Sequence, residues 1–249
     1  MTHSLSCITW NIHRGRGSDR LVDPERILDV LSREVWHIGT DALILQEADA
    51  ETDNQAGVVD PEKIERVTGL RHLQTARALR STDTSHGFLG VVVYLHPDIV
   101  IERVQLVDLP GHCARGAVVA DVKKAGIPVR LVATHLSLAQ WLRVMQMRTL
   151  GQFLQRFDPR QTVVCGDLNE WRFWGGFAFG RAVTGLDLSG PALRSFPVRM
   201  PLLPLDRVLS TPEGHVSDAQ VLDGTGIRAA SDHRPLRASV TLGVATSAP

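Results

Sequence analysis

Residues 162–169 carry the sequence Thr-Val-Val-Cys-Gly-Asp-Leu-Asn, and this stretch decides the predicted fold. A short run of small apolar and β-branched residues that ends at a glycine is typical of a buried strand. Residues two apart on a strand point to the same face, so Asp167 and Asn169 should project together beyond its carboxyl end. Both groups must be hydrogen-bonded or bind an ion. The alternatives are therefore a functional site, which open α/β sheets place at strand ends, and a simple Asp-Leu-Asn turn.

The composition is that of a globular protein without a dominant charge. The chain has 249 residues, 43% of them hydrophobic and 22% charged, with 27 Lys and Arg against 27 Asp and Glu. This length suits one large α/β domain, and we predict a single domain over residues 1–243 and a flexible tail over 244–249. The charge balance excludes a global basic field for nucleic acid but leaves room for a local basic patch.

The cysteines and the N-terminus bear on the compartment. Cys7, Cys113 and Cys165 have no metal-type spacing, and their odd count favours a reducing compartment. The N-terminal residues lack the pattern of a signal peptide, and no apolar stretch is long enough to span a bilayer. We therefore expect a soluble, cytoplasmic protein without stable membrane insertion.

The rest of the chain alternates between strand-like and helix-like segments. Asp-Pro pairs at 23–24 and 60–61 predict two helix starts, and apolar spacing over 138–157 predicts a long helix whose apolar stripe, including Leu138 and Met145, is core. Further strands are predicted near 5–12, 42–45, 71–78, 88–95, 99–107, 115–122, 128–134, 205–210, 214–222 and 235–242. We expect two sheets packed face to face, with helices outside.

Polar residues recur at the ends of these predicted strands. They are Asn11, Glu47, His135, Asp167, Asn169, Asp206, Asp232 and His233. Each one alone also fits a structural role, as a turn residue, a surface acid or a hydrogen-bonded core histidine. Taken together, carboxylates and amides suit a hard cation such as Mg²⁺ or Mn²⁺. The histidines beside carboxylates suit proton transfer and contact with an anion.

The order and spacing of these residues resemble a known superfamily. The matching pieces are Thr9-Trp10-Asn11-Ile12, Leu45-Gln46-Glu47, Arg115-Gly116-Ala117, Thr134-His135-Leu136, Gly166-Asp167-Leu168-Asn169, Leu205-Asp206-Arg207-Val208 and Ser231-Asp232-His233-Arg234-Pro235-Leu236. The chain resembles the endonuclease/exonuclease/phosphatase superfamily, which includes DNase I, exonuclease III-type enzymes, bacterial neutral sphingomyelinases and inositol polyphosphate 5-phosphatases. It is most similar to uncharacterised bacterial members, which share the stretch from Phe196-Pro197 to Asp206-Arg207.

The resemblance implies a fold, a metal and a reaction. The fold would be the DNase I-like α/β (α+β) class, a four-layer α/β/β/α sandwich with the site at one edge of the two sheets. Glu47 would be the main ligand of Mg²⁺ or Mn²⁺, with Asn11 and Asp232 close to the ion. The reaction would be hydrolysis of a phosphoric ester by in-line attack of water on phosphorus.

The same resemblance implies roles for the remaining polar residues. Asp167 and Asn169 would hold the attacking water and the phosphate. His233, oriented by Asp206, would contact the phosphate or act as the base, and His135 would assist departure of the leaving group. Which carboxylate takes the proton stays open.

Four further features bear on the substrate. Arg14 lies in a glycine-flanked loop just past Asn11, Arg115 matches a recurrent arginine of the superfamily, and His86 matches a recurrent His-Gly pair. All three are predicted to contact substrate, although the loops around Arg14 and His86 also fit plain turns. Five aromatic residues fall between 171 and 179, around Arg172. They fit a local core, a platform for bases or a contact with lipid, and Arg172 is predicted to bind substrate.

These patterns predict a metal-dependent phosphodiesterase, an enzyme that acts as an endonuclease or on a phospholipid or small molecule. The alternative is a non-catalytic binding module of the same fold. A serine or cysteine hydrolase is disfavoured because no Gly-x-Ser-x-Gly motif occurs and Cys165 lies within a strand. Nucleic acid, phospholipid and small molecules all remain open as the phosphodiester substrate.

Overall fold

The structure, a computed structural model, describes residues 3–52 and 54–243, so the tail predicted over 244–249 lies outside the described residues. The strands are β1 Ser4–Asn11, β2 Ala42–Gln46, β3 Arg71–His72, β4 Val92–Leu95, β5 Val100–Leu109, β6 Arg115–Lys124, β7 Ile127–His135, β8 Thr162–Asp167, β9 Asp206–Ser210, β10 Val216–Val221 and β11 Leu236–Thr241. The α-helices are α1 Pro24–Val30, α2 Pro61–Thr68, α3 Gln140–Leu154, α4 Arg181–Thr184 and α5 Thr225–Ala230.

The strands form two mixed sheets. One has the order β10-β11-β1-β2-β4-β3 and the other the order β5-β6-β7-β8-β9. Each sheet contains one parallel pair, β1 with β2 and β7 with β8. Parallel neighbours need a crossover connection, which α1 and α3 supply. The parallel strands of each pair therefore end at the same edge of their sheet.

Hydrophobic side chains fill the spaces between four layers. One cluster, which includes Ile44 and Val163, joins the inner faces of the two sheets. A second packs α1, α2 and α5 against the outer face of the first sheet, and a third packs α3 against the outer face of the second. Because each sheet buries both faces, the central strands β2 and β8 are buried over their whole length and are mostly apolar. The predicted four-layer α/β/β/α sandwich is confirmed.

The predicted helix starts at the two Asp-Pro pairs are confirmed. Asp23 accepts a hydrogen bond from the Arg26 N–H, and Asp60 accepts one from the Glu62 N–H. In each case a proline occupies the first turn, where its missing N–H is harmless.

Two predictions of local structure are wrong. The strand expected over 71–78 is only Arg71–His72, with a 3₁₀ turn at Arg77–Leu79. The apolar stripe expected over 138–157 is core only in part: Leu150 and Leu154 are buried against the second sheet, whereas Leu138, which precedes α3, is 74% exposed and Met145 is 46% exposed. Arg143 and Gln146 are buried instead, where they bond backbone oxygens of neighbouring loops. Helical spacing alone cannot tell a buried arginine from an exposed one.

Candidate active site

The polar residues at the strand ends meet where the two sheets face each other. Asn11 ends β1 and Glu47 directly follows β2, so the parallel register brings them to one level of the first sheet. His135 ends β7 opposite Asp167 at the end of β8, and Asp206 pairs with Asp167 from the antiparallel strand β9. The topology thus gathers residues that are far apart in the sequence.

Asp167 contacts most of the other residues of this cluster. Its Oδ2 accepts a hydrogen bond from Asn11 Nδ2 at 3.0 Å, which links the two sheets. The same oxygen lies 3.3 Å from His135 Nε2 and 3.7 Å from His233 Nε2. Its Oδ1 accepts the backbone N–H of Asn169 at 3.0 Å. A buried carboxylate is tolerated here because it is surrounded by donors.

His233 is held by a second buried carboxylate. Its Nδ1 lies 2.9 Å from Asp206 Oδ2, which also accepts a hydrogen bond from Ser195 Oγ at 2.5 Å. The ring of Phe196 packs beside the imidazole, with centroids 4.8 Å apart. Burial disfavours the imidazolium, but Asp206 and then Asp167 outweigh it and raise the pKa of His233 to about 10. His233 is therefore protonated at neutral pH.

His135 has the opposite protonation state. Its side chain is buried, and this burial lowers its pKa to about 3, against the opposing effect of Asp167. Arg115 and His233 lower it further. Its Nε2 lies 3.2 Å from Asn169 Nδ2, which also donates to the Leu136 carbonyl at 2.8 Å. The site therefore pairs one neutral and one charged imidazole around a single carboxylate.

Glu47 faces the cleft beside a guanidinium. Arg14 Nη1 donates to Glu47 Oε2 at 3.0 Å, and Asn11 Nδ2 lies 3.4 Å from Glu47 Oε1. Arg14, Glu47 and Asn169 have φ values of 53°, 49° and 51°. Such left-handed backbone is unfavourable for residues with a Cβ and is concentrated at functional sites.

A cavity of about 480 Å³ adjoins Glu47, and Arg14, Asp49, Gln55 and Arg115 are among the residues that line it. Arg14 Nε, Asp49 Oδ1, Gln55 Oε1 and Arg115 Nε are buried and have no hydrogen-bond partner among the described residues. Burial raises the pKa of Asp49 to about 6, although its other oxygen accepts the Gly90 N–H at 2.8 Å. Unpaired buried donors and acceptors along one cleft are typical of a polar ligand site.

Asp49 and Gln55 were missed by the sequence analysis. Asp49 lies two residues after Glu47, and this is the same spacing that drew attention to Asp167 and Asn169. No comparable signal marks Gln55, because it reaches the cleft only through the hairpin in which Ala50 N–H donates to the Ala56 carbonyl.

Two groups of oxygen-rich residues could hold a cation. Glu47 and Asn11 lie side by side, and Asp232 directly follows Ser231, whose Oγ donates to the Asn11 carbonyl; within the described residues, the buried Asp232 Oδ1 has no hydrogen-bond partner. Asp167, Asp206 and His233 also offer atoms within 4.8 Å of one another. The protonated His233 is a poor ligand, so the first group fits a hard divalent cation better. Asp232 makes its ionic contact with His13, 3.7 Å away.

Two predicted substrate residues are not brought into this cluster. His86 Nδ1 lies 2.9 Å from the Val59 carbonyl, behind the hairpin that borders the cleft. Arg172 bonds Glu170 and Gln140 and packs on Trp171. Both side chains are tied to other parts of the fold.

The aromatic segment after Asn169 is largely exposed. Of its five aromatic residues, only Phe179 is buried, whereas Trp171, Phe173, Trp174 and Phe177 are exposed. The local-core interpretation of this cluster is therefore wrong. Within the part of the chain that the structure describes, no helix has the length and apolar character needed to cross a membrane.

Comparisons with known proteins agree with the fold. The Escherichia coli (strain K12) protein YbhP, described as uncharacterized, is 26% identical over 262 aligned positions, covering 96% of this chain and 97% of its own. An endonuclease/exonuclease/phosphatase from Bacteroides vulgatus superposes with a TM-score of 0.71 at 15% identity, covering 96% of this chain and 99% of its own. The human Nocturnin catalytic domain with bound sulfate superposes with a TM-score of 0.65 at 19% identity, covering 97% and 96%. The sequence profile of one family matches residues 8–233, and the chain belongs to that family, the Endonuclease/Exonuclease/phosphatase family.

Proposed function

We propose that the protein is a divalent-metal-dependent phosphodiesterase. Family membership supports a phosphoric ester hydrolase in general. The observation that carries the finer proposal is the contact of one buried carboxylate, Asp167, with Asn11, Asn169, His135 and His233. A protein that only bound a ligand would have no need of a neutral and a charged imidazole on either side of one carboxylate.

Glu47, Asn11 and Asp232 would hold Mg²⁺ or Mn²⁺. When bound, such an ion supplies positive charge that polarises a phosphoryl oxygen and offsets negative charge in the transition state. The carboxylates of Glu47 and Asp232 and the amide oxygen of Asn11, which accepts the His13 N–H at 2.9 Å, are the ligand type that a hard cation prefers. In the present structure Arg14 provides the positive charge beside Glu47.

The protein's own groups would then orient and protonate the reacting atoms. Asp167 and Asn169 would position the attacking water, and Asp167 is the carboxylate that we assign to receive its proton. His233 is an imidazolium at neutral pH, which favours donation to a phosphate oxygen over action as the base. Asp206 would orient His233. His135, a neutral imidazole, would donate a hydrogen bond from its ring N–H to the leaving oxygen and keep its proton.

The cleft would bind the two sides of the diester differently. Arg14 and Arg115 carry unpaired buried N–H groups that suit phosphate oxygens. Asp49 and Gln55 carry unpaired acceptors that suit hydroxyl or amino groups of the substrate. The sulfate in the Nocturnin structure supports an anion site on this fold. His86 and Arg172, which bond other parts of the fold, would not touch the diester. Nucleic acid, phospholipid and small diesters all remain candidate substrates, and endonuclease activity is one case.

The test compares hydrolysis of bis-p-nitrophenyl phosphate with that of p-nitrophenyl phosphate, with Mg²⁺, with Mn²⁺ and with EDTA. We expect metal-dependent cleavage of the diester and a loss of roughly a hundredfold or more in kcat/KM for Glu47→Gln. Glu62→Gln, an exposed acid at the start of α2, is the matched control and should keep full activity. Full activity in Glu47→Gln would refute the assignment. Stoichiometric metal binding without cleavage of any diester would favour the binding module.

A further inference from the structure

An exposed apolar surface lies beside the candidate active site, and we call it the aromatic patch. Its members are Leu138, Trp141, Met145, Trp171, Phe173, Trp174 and Phe177, with between 46% and 74% of each residue exposed. Single exposed apolar residues are ordinary, but a contiguous group of this size marks a contact with another molecule or surface.

Arg172 joins the two segments of the patch. Its guanidinium bonds Gln140, next to Trp141, and lies 4.6 Å from the ring centroid of Trp171. Trp174 is 5.6 Å from the same guanidinium and 5.2 Å from the ring of Phe177. On α3, Met145 lies one helical turn after Trp141 and so shares its face. The exposed rings therefore form one surface.

The patch is held rigidly from below. Glu170 is fully buried, and its carboxylate accepts hydrogen bonds from Arg143 Nη2 at 3.3 Å and from the Arg172 N–H at 3.1 Å. Arg207 Nη2 donates to the Glu170 carbonyl at 3.1 Å. A segment fixed by a buried ion pair cannot easily fold its rings inward. The exposure of the rings is thus a property of the folded state.

The exposed charges within the two segments of the patch are basic. Residues 137–157 and 171–186 contain no aspartate or glutamate, although the whole chain has as many acidic as basic residues. Arg148, three residues after Met145 on α3, and Arg194 are exposed, whereas the exposed Arg181 is paired with Asp187. An apolar surface rimmed by arginines complements an apolar surface rimmed by anions.

The patch begins where the candidate active site ends. Leu138 lies three residues after His135, and Trp171 lies two residues after Asn169. Trp141 packs near His112, with ring centroids 6.2 Å apart, and the adjacent Cys113 lines the cleft. A flat object that covered the patch would therefore meet the mouth of the cleft.

We propose that the aromatic patch docks on the surface of an anionic phospholipid bilayer. Tryptophan favours the interface between headgroups and acyl chains, and arginine side chains near that surface add attraction to anionic lipids. Stacking on nucleic-acid bases fits less well, because guanidinium groups already cover ring faces of Trp171 and Phe173. Docking would bring the cleft to headgroup level. The corollary that the substrate is a phospholipid diester rests on the proposed function, but the docking itself does not.

The test is co-sedimentation with vesicles of phosphatidylcholine alone and of phosphatidylcholine mixed with phosphatidylglycerol. We expect the protein to bind the anionic vesicles, and Trp174→Ser combined with Phe177→Ser to lower the partition coefficient by roughly tenfold or more. Ile38→Ser removes an apolar side chain outside the patch that is 88% exposed, more than Trp174 or Phe177, and should leave binding unchanged. Circular dichroism of each variant checks that it is folded.

Two results would overturn the docking proposal. One is failure of the wild-type protein to bind anionic vesicles; the other is equal vesicle binding by wild type and the double variant. Loss of binding to a single-stranded oligonucleotide in the double variant, with vesicle binding intact, would assign the patch to nucleic acid instead.

The docking proposal and the proposed hydrolysis are tested by different variants. Glu47→Gln should bind vesicles like the wild type while losing roughly a hundredfold or more in kcat/KM on a soluble diester. The double variant should cleave bis-p-nitrophenyl phosphate normally while losing the vesicles.

Discussion

The buried ion pair of Asp206 and His233 allows a prediction of how far the pKa of His233 depends on one charge. Asp206 Oδ2 lies 2.9 Å from His233 Nδ1, and the carboxylate is fully buried. Asp206→Asn keeps the shape and an oxygen acceptor but removes the charge. The pKa of His233, about 10 in the wild type, should then fall.

The size of the fall follows from Coulomb's law. Two unit charges about 4 Å apart attract by about 4 kcal/mol at an effective dielectric constant of about 20. One pKa unit corresponds to about 1.4 kcal/mol, so the loss of this charge should lower the pKa of His233 by about 3 units. The imidazole would then titrate near neutral pH. Asp167, 3.7 Å away, retains part of the upward shift.

The measurement is an NMR titration of the histidine ring signals in EDTA, with His233→Gln to assign the resonance. Ser195→Ala is the matched control, since it removes a neutral donor to the same oxygen and leaves the charge in place. Its His233 should still titrate far above neutral pH. A wild-type His233 that titrates near 6.5, or an Asp206→Asn variant whose His233 still titrates near 10, would refute the electrostatic account.

Four further predictions concern stability and are measured by denaturant unfolding in EDTA. His233 has a pKa of about 10, above its usual 6.5, so the folded state binds the extra proton. The stabilisation that this proton gives is complete below pH 6.5 and is lost as pH rises towards 10. The difference in free energy of unfolding between wild type and His233→Gln should therefore shrink between pH 6.5 and pH 10. His135 has a pKa of about 3, below its usual 6.5, so the unfolded state binds the extra proton, and the free energy of unfolding should decrease as pH falls from 6.5 towards 3. This part of the decrease should be absent in a His135→Gln variant. Arg143→Met would leave Glu170 with only Arg172 as an ionic partner and should cost about 3–5 kcal/mol, whereas the exposed Arg148→Met should cost almost nothing. Gly166→Ala would put a Cβ 1.9 Å from the Thr134 carbonyl oxygen, at a φ of 148°, and should separate β7 from β8. In the control Gly126→Ala, the new Cβ meets no atom within 4 Å, so the φ of 81° should cost only about 1 kcal/mol of stability.

Several features of the protein depend on neighbours within a few residues, and these could be predicted from the sequence. The helix starts at the Asp-Pro pairs are local, because the capping carboxylate reaches an N–H only two or three residues away. The buried strand before Asp167 is also local, since an apolar run that ends at glycine has few other structures open to it. The strand ends in turn indicated which polar residues could meet.

The sequence by itself therefore determined the layers, the family and the edge of the sheets at which the polar residues gather. Only the tertiary structure decided the charges of the two imidazoles, because the shift of each depends on burial and on carboxylates brought from other strands. It also decided the exposure of the aromatic patch, since the direction of a ring depends on what lies beneath its loop, here the buried Glu170. Asp49 and Gln55 reach the cleft by the same kind of long-range packing. Local sequence fixes where a backbone bends, whereas burial and charge are sums over the whole fold.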